Sequence, residues 1–128
     1  MKLEHLALQV PDPAAMADWY VKHLGFSVAR AGGPPAHARF LLERGGAVML
    51  EVYCNPNAQL PDYFAQDPLL LHLAFATDDP AQNSARLKDA GARLVDDVSR
   101  NPAGDELVML RDPWGIALQL VKRAEAML

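Results

Sequence analysis

The sequence lacks most features that mark secreted, membrane or nucleic-acid-binding proteins. Its one cysteine, Cys54, cannot form an internal disulfide, which is typical of a protein from a reducing compartment. Lysine and arginine number 12 against 16 acidic residues and are scattered, so no basic face for nucleic acid is predicted. No apolar run approaches the roughly 20 residues of a membrane span, and no signal peptide is recognisable. These absences favour a cytoplasmic protein with neither nucleic-acid nor membrane partners.

The composition that remains is that of an ordinary globular protein. Hydrophobic residues make up 51% of the 128 residues and charged residues 22%, so no long disordered tail is expected. A chain of this length buries roughly two-thirds of its unfolded surface. We therefore predict a single domain over residues 1–128.

The most informative feature of the chain is a segment that occurs twice. His-Leu-Ala at residues 5–7 leads to Asp-Pro-Ala at residues 12–14, and the same two tripeptides recur at residues 72–74 and 79–81. In both copies an apolar strand carries the histidine, and a helix that the aspartate can cap follows. A repeat of this length indicates a duplicated module.

Each copy continues through three further strands, which gives the order β-α-β-β-β twice. The first module is predicted at about residues 1–57 and the second at about residues 69–128. Residues 55–68 contain three prolines and are predicted to be the linker between the modules.

Each module also carries polar residues at the centres of otherwise apolar strands. They are His5 and Glu51 in the first module, and His72 and Gln119 in the second. Strand alternation places the apolar neighbours against a helix and leaves the polar group on the opposite face. Burial of such a group is costly unless it is paired, solvated or bound to a metal. Taken singly, each is most often a structural residue, but four at matching positions predict a metal site.

The duplicated order, the Leu-Gly-Phe at residues 24–26 and the Asp-Pro-Trp-Gly turn at residues 112–115 resemble the vicinal oxygen chelate superfamily. That superfamily includes glyoxalase I, bleomycin-resistance proteins and extradiol dioxygenases. The resemblance covers essentially the whole chain and implies an α+β fold, in which two βαβββ modules form a cupped mixed sheet with helices on the outer face. It also implies a homodimer and a metal bound by His5, Glu51, His72 and Gln119. Two imidazoles, one carboxylate and one amide oxygen suit a divalent ion such as Zn, Ni, Co, Mn or Fe(II).

The chain departs from the best-known members of that superfamily at one position. Gln119 stands where bacterial-type glyoxalase I carries a second carboxylate. An amide cannot accept a proton, so Glu51 or a metal-bound hydroxide is the only base among the predicted ligands. The site would be a stronger Lewis acid with weaker metal retention, which argues against ordinary glyoxalase I activity.

Two functions stay open. The first is a metal-dependent enzyme with Glu51 as the catalytic residue, which chelates a small substrate through vicinal oxygens and acts as a lyase, an isomerase or a dioxygenase. The second is a metal-free protein that sequesters a small molecule, of the bleomycin-resistance type. Tyr53, Arg111 and Trp114 are candidates for substrate contact; the alternatives are a solvated strand end for Arg111 and packing over the sheet end for Trp114.

Overall fold

The computed structural model describes residues 1–127. The chain divides into two compact units between Pro61 and Asp62. This boundary falls inside the segment that the sequence predicts as a linker, so the second part of that segment belongs to the second unit.

The first unit contains four strands and one helix. They are β1 (His5–Gln9), α1 (Pro13–Leu24), β2 (Ser27–Ala31), β3 (Arg39–Leu42) and β4 (Met49–Tyr53). The strands form a mixed sheet in the order β1-β4-β3-β2, in which β1 is parallel to β4 and the other pairs are antiparallel.

The second unit repeats this arrangement. Its elements are β5 (His72–Ala76), α2 (Pro80–Asp89), β6 (Arg93–Arg100), β7 (Glu106–Arg111) and β8 (Ala117–Lys122). The strand order is β5-β8-β7-β6, again with one parallel pair, β5 and β8. The two predicted βαβββ modules are therefore confirmed.

The two helices begin in the same way. The side chain of Asp12 accepts a hydrogen bond from the backbone N–H of Ala15 at 3.0 Å, and Asp79 accepts one from Gln82 at 2.9 Å. In each helix a proline follows the cap, at a position where its missing N–H removes no helical hydrogen bond. The sequence motif that marked the duplication is thus the start signal of both helices.

One face of each sheet packs against its own helix. In the first unit α1 contacts β3 and β4, and in the second unit α2 contacts β6, β7 and β8. The buried apolar side chains include Leu8, Met16, Tyr20, Leu41, Leu50 and Val52 in the first unit, and Leu87, Val108, Leu110, Leu118 and Leu120 in the second. Because strand side chains alternate, the opposite face of each sheet carries the polar residues that the sequence singles out. No helix within residues 1–127 is long and apolar enough to cross a membrane.

Candidate metal-binding residues in the two modules

His5 and Glu51 lie on the same face of the first sheet. In the parallel pairing of β1 and β4, Glu51 is opposite Ala7, so His5 is its diagonal neighbour on that face. The Nε2 atom of His5 is 3.4 Å from the Oε2 atom of Glu51. Both side chains are partly accessible, at 34% and 20% of their full exposure. A solute can therefore reach the two donor atoms.

This separation suits two ligands of one metal ion. Bonds of about 2.1 Å to each of two tetrahedral ligands place the donor atoms about 3.4 Å apart. A direct N–H···O hydrogen bond would bring the same two atoms to about 2.9 Å. The distance between His5 Nε2 and Glu51 Oε2 therefore fits two ligands of one divalent ion.

The other nitrogen of His5 faces a residue that the sequence did not single out. Its Nδ1 atom is 2.5 Å from the Oε2 atom of Glu4, whose side chain is 68% exposed. The imidazole also packs edge-on against Phe40, with the ring centroids 5.5 Å apart and the ring planes at 89°. Glu4 immediately precedes β1, and its carbonyl oxygen accepts a hydrogen bond from the backbone N–H of Met49 at 2.9 Å. Only its adjacency to His5 could have indicated the contact of the two side chains.

The second module repeats the diagonal arrangement with a different partner. Gln119 is opposite Ala74 in the parallel pairing of β5 and β8, so His72 stands to Gln119 as His5 stands to Glu51. The Nδ1 atom of His72 is 3.1 Å from the carbonyl oxygen of Pro68. A carbonyl oxygen only accepts, so Nδ1 carries a proton, and in the neutral ring the lone pair is on Nε2. Sequence analysis placed Pro68 in the linker and missed this contact.

Each module supplies one pair of candidate ligands. No group of three or more His, Cys, Asp or Glu side chains arranged to hold a metal ion is found within residues 1–127. The hypothesis that all four residues bind a single ion therefore stays a prediction.

The three predicted substrate contacts lie in different settings. Tyr53 is half-buried at the end of β4, on the same face as Glu51. Trp114 is half-buried in the turn before β8, where its backbone N–H donates to Asp112 at 2.9 Å. Arg111 donates hydrogen bonds to the carbonyl oxygens of Tyr63 and Gly115 at 2.7 and 2.8 Å.

Arg111 also donates to the carbonyl oxygen of Gln66. Its guanidinium therefore anchors the segment before β5 to the turn between β7 and β8. That segment contains Pro68, the acceptor for His72. No observation tests the predicted contact of Arg111 with substrate.

The second unit contains a cavity of about 640 Å³ on the same sheet face as His72 and Gln119. Ala74, Ala76 and Val121 line it together with the polar or charged residues Thr77, Asp78, Lys122 and Arg123, and neither His72 nor Gln119 is among its lining residues. The cavity is large enough for a small organic molecule.

A duplicated βαβββ unit with a histidine on the first strand and an amide or carboxylate on the last defines a class of proteins built from two such modules. The family comparison agrees with that class: the chain belongs to the Glyoxalase/Bleomycin resistance protein/Dioxygenase superfamily, whose model matches residues 2–120. The resemblance inferred from the sequence is confirmed. No curated protein matches the chain significantly in sequence.

Solved structures share the fold at low sequence identity. SMU.1112c is 27% identical with a TM-score of 0.73, and the match covers 95% of this chain and 98% of that one. TnmS3, an antibiotic binding protein from a Streptomyces species, is 21% identical with a TM-score of 0.74, over 97% of both chains. A glyoxalase I variant from Zea mays is 21% identical with a TM-score of 0.76, over 97% of this chain and 46% of that one. An antibiotic binding protein and an enzyme thus share this fold.

Proposed function

We propose that the chain is a metal-dependent enzyme that acts on a small oxygenated substrate, with His5, Glu51, His72 and Gln119 as the metal ligands. The observation that carries this proposal is the 3.4 Å separation of His5 Nε2 and Glu51 Oε2. The diagonal placement of His72 and Gln119 in the second module supports it, because the same backbone relation recurs there. Imidazole, carboxylate and amide donors suit Zn, Ni, Co, Mn or Fe(II).

A bound divalent ion would supply Lewis-acid polarisation of adjacent substrate oxygens. Glu51 is the group of the chain that would hold or move a proton, because Gln119 cannot accept one. A single carboxylate in this position suits proton transfer of the lyase or isomerase type, and two histidines with one carboxylate also suit a dioxygenase that binds Fe(II). Tyr53, Arg111 and Trp114 would line the substrate site, and the lone Cys54 is consistent with the cytoplasmic location that we infer.

Elemental analysis tests the proposal. Protein as purified, and protein loaded separately with Ni, Zn, Mn and Fe(II), should retain about one ion per chain. The His5→Ala and His72→Ala variants should lose it. The matched control is His37→Asn, which removes an exposed histidine at a φ of 48° that asparagine tolerates. A wild-type protein that stays free of metal under all four loadings would overturn the proposal.

A second candidate function is metal-free binding of a small apolar or aromatic molecule. The cavity beside Ala74, Ala76 and Val121 favours it, since small apolar side chains form much of its lining. So does the fold shared with an antibiotic binding protein. Thermal melting with a panel of aromatic antibiotics that includes bleomycin distinguishes the two functions. A rise in Tm that persists in a chelator supports metal-free binding, whereas a rise that requires metal bound to the protein beforehand supports a metal-dependent site.

A further inference from the structure

We propose that Glu4 is a positioning residue that holds the His5 imidazole in one orientation and one tautomer, with Nε2 presented to a metal ion beside Glu51. This inference rests on the proposed metal-dependent function. It assigns a role to a side chain that lies outside the four predicted ligands.

The two nitrogens of the His5 ring face two different carboxylates. Glu4 Oε2 lies 2.5 Å from Nδ1, and Glu51 Oε2 lies 3.4 Å from Nε2. The short contact is a hydrogen bond to a carboxylate, which as an acceptor keeps the proton on Nδ1. In the neutral ring Nε2 then carries the lone pair, and a cation held between Nε2 and the Glu51 carboxylate would be bound by both.

The second module holds its histidine through the same ring nitrogen. His72 also directs Nδ1 to a nearby acceptor, the Pro68 carbonyl at 3.1 Å. His5 and His72 occupy equivalent positions and are both held through Nδ1. Their partners, Glu4 and Pro68, are not equivalent positions of the two modules. Metal-binding histidines commonly use their second nitrogen in this way, which fixes both the tautomer and the ring plane.

The contact of Glu4 with His5 contributes little to folding stability. The Glu4 side chain is 68% exposed, and exposed ion pairs add little to stability. The Phe40 ring at 5.5 Å limits the ring of His5 from one side but makes no polar contact that selects a tautomer. The hydrogen bond from Nδ1 to Glu4 is therefore the interaction that makes this selection.

The experiment combines metal affinity with a measurement on metal-free protein. The variants are Glu4→Ala, which removes the acceptor, and Glu4→Gln, which removes the charge but keeps an acceptor oxygen. Glu125→Gln is the matched control, because it removes the same charge at an exposed position remote in sequence. Zn²⁺ affinity is measured by competition with a chromophoric chelator, and the His5 tautomer by ¹⁵N NMR of the metal-free protein at alkaline pH.

In Glu4→Ala the Zn²⁺ affinity should fall about tenfold, the lower end of the range for outer-shell partners, and the His5 signals should shift toward the Nε2–H form. Glu4→Gln should keep the tautomer and most of the affinity, and Glu125→Gln should match wild type. Equal losses in Glu4→Ala and Glu4→Gln would overturn the positioning role in favour of a general charge effect. An unchanged tautomer in Glu4→Ala would also overturn it, while the proposed function would stand if wild type binds Zn²⁺.

Failure of the proposed function has a different signature. A wild-type protein that binds no Zn²⁺ overturns the metal-dependent function and, with it, the role of Glu4 toward a metal. The NMR measurement on that same protein still shows whether Glu4 sets the tautomer of His5.

Discussion

In the first module His5 lies 3.4 Å from the carboxylate of Glu51 and 2.5 Å from that of Glu4. In the second module His72 shares its sheet face with the amide of Gln119 and donates to the backbone carbonyl of Pro68. The backbone relation of the two pairs is the same, since Ala7 pairs with Glu51 as Ala74 pairs with Gln119. Register is tightly constrained, because a slip of one residue would turn the side chains that pack on the helix to the opposite face. The two modules therefore share the positions of their polar residues and differ in the charges.

The largest effect is expected from reversing this difference in charge. Glu51→Gln removes the carboxylate from the predicted ligand set and should lower metal affinity more than about 100-fold and abolish activity. Gln119→Glu makes the two modules alike and should increase metal retention about tenfold, since a second negative charge is added beside a cation. Metal competition assays on both variants measure these changes. Equal metal affinities in the two variants would show that neither side chain is a ligand.

The next comparison concerns two glycines with positive φ. Gly115, in the turn before β8, has φ of +92°, and an added Cβ would lie 2.8–2.9 Å from Phe64, including its backbone nitrogen. Gly25, at the end of α1, has φ of +77° with open space around the same position. Gly25→Ala should cost about 1 kcal/mol from backbone strain alone, and Gly115→Ala about 3 kcal/mol or more.

Urea unfolding of both glycine variants measures these losses. Gly115 and Arg111 together hold the segment that contains Pro68, so the NMR signals of His72 should change in Gly115→Ala and stay unchanged in Gly25→Ala. Equal losses of stability in the two variants would contradict the close packing of Phe64 on the turn.

Sequence patterns predicted the elements and the four polar positions because both depend on local signals. Asp-Pro caps, glycines and strand alternation act within a few residues, and the observed strands agree with the predicted order throughout. The second helix ends at Asp89 with Ala90 as its C-cap, and Gly91 follows with a φ of +100°.

The contacts that surround the histidines could not be predicted in this way. Arg111 bonds to Tyr63 across 48 residues of sequence, and no local pattern reports such a contact. Strand alternation would place the side chain of Glu4 on the opposite face from His5, so the pattern did not indicate their contact. The sequence therefore indicated which residues carry the chemistry but not which residues hold them in place.

The homodimer that the resemblance implies can be tested with the two histidine variants. If the two modules of one site come from different chains, mixed dimers of His5→Ala and His72→Ala contain one site with both histidines intact. We expect co-refolding of equal amounts to restore metal binding to about one quarter of the sites, the fraction that random pairing gives. Neither variant alone should bind metal. Absence of any recovery in confirmed mixed dimers would place all the ligands of a site on one chain.

The smallest effect is expected at two carboxylates away from the four candidate ligands. The backbone N–H of Ala124, with the side chains of Arg123 and Asn101, holds the pKa of Asp105 below its ordinary value. In the first module the backbone N–H groups of Gly45 and Ala47 lower the pKa of Glu43.

A carboxylate with a lowered pKa in the folded state stabilises the protein fully above its unfolded pKa, near pH 4, and this stability is lost as the pH falls through the folded-state value. Asp105→Asn should therefore lower the urea midpoint at neutral pH and flatten its dependence on pH below about 4. Glu43→Gln should do so less, because the partners of Glu43 lie within its own turn, whereas Asp105 joins residue 101 to residues 123 and 124 across the strands β7 and β8. Urea midpoints from neutral pH to about pH 3 provide the measurement. A larger effect at Glu43 would mean that the local turn, rather than the contact between distant residues, dominates acid stability.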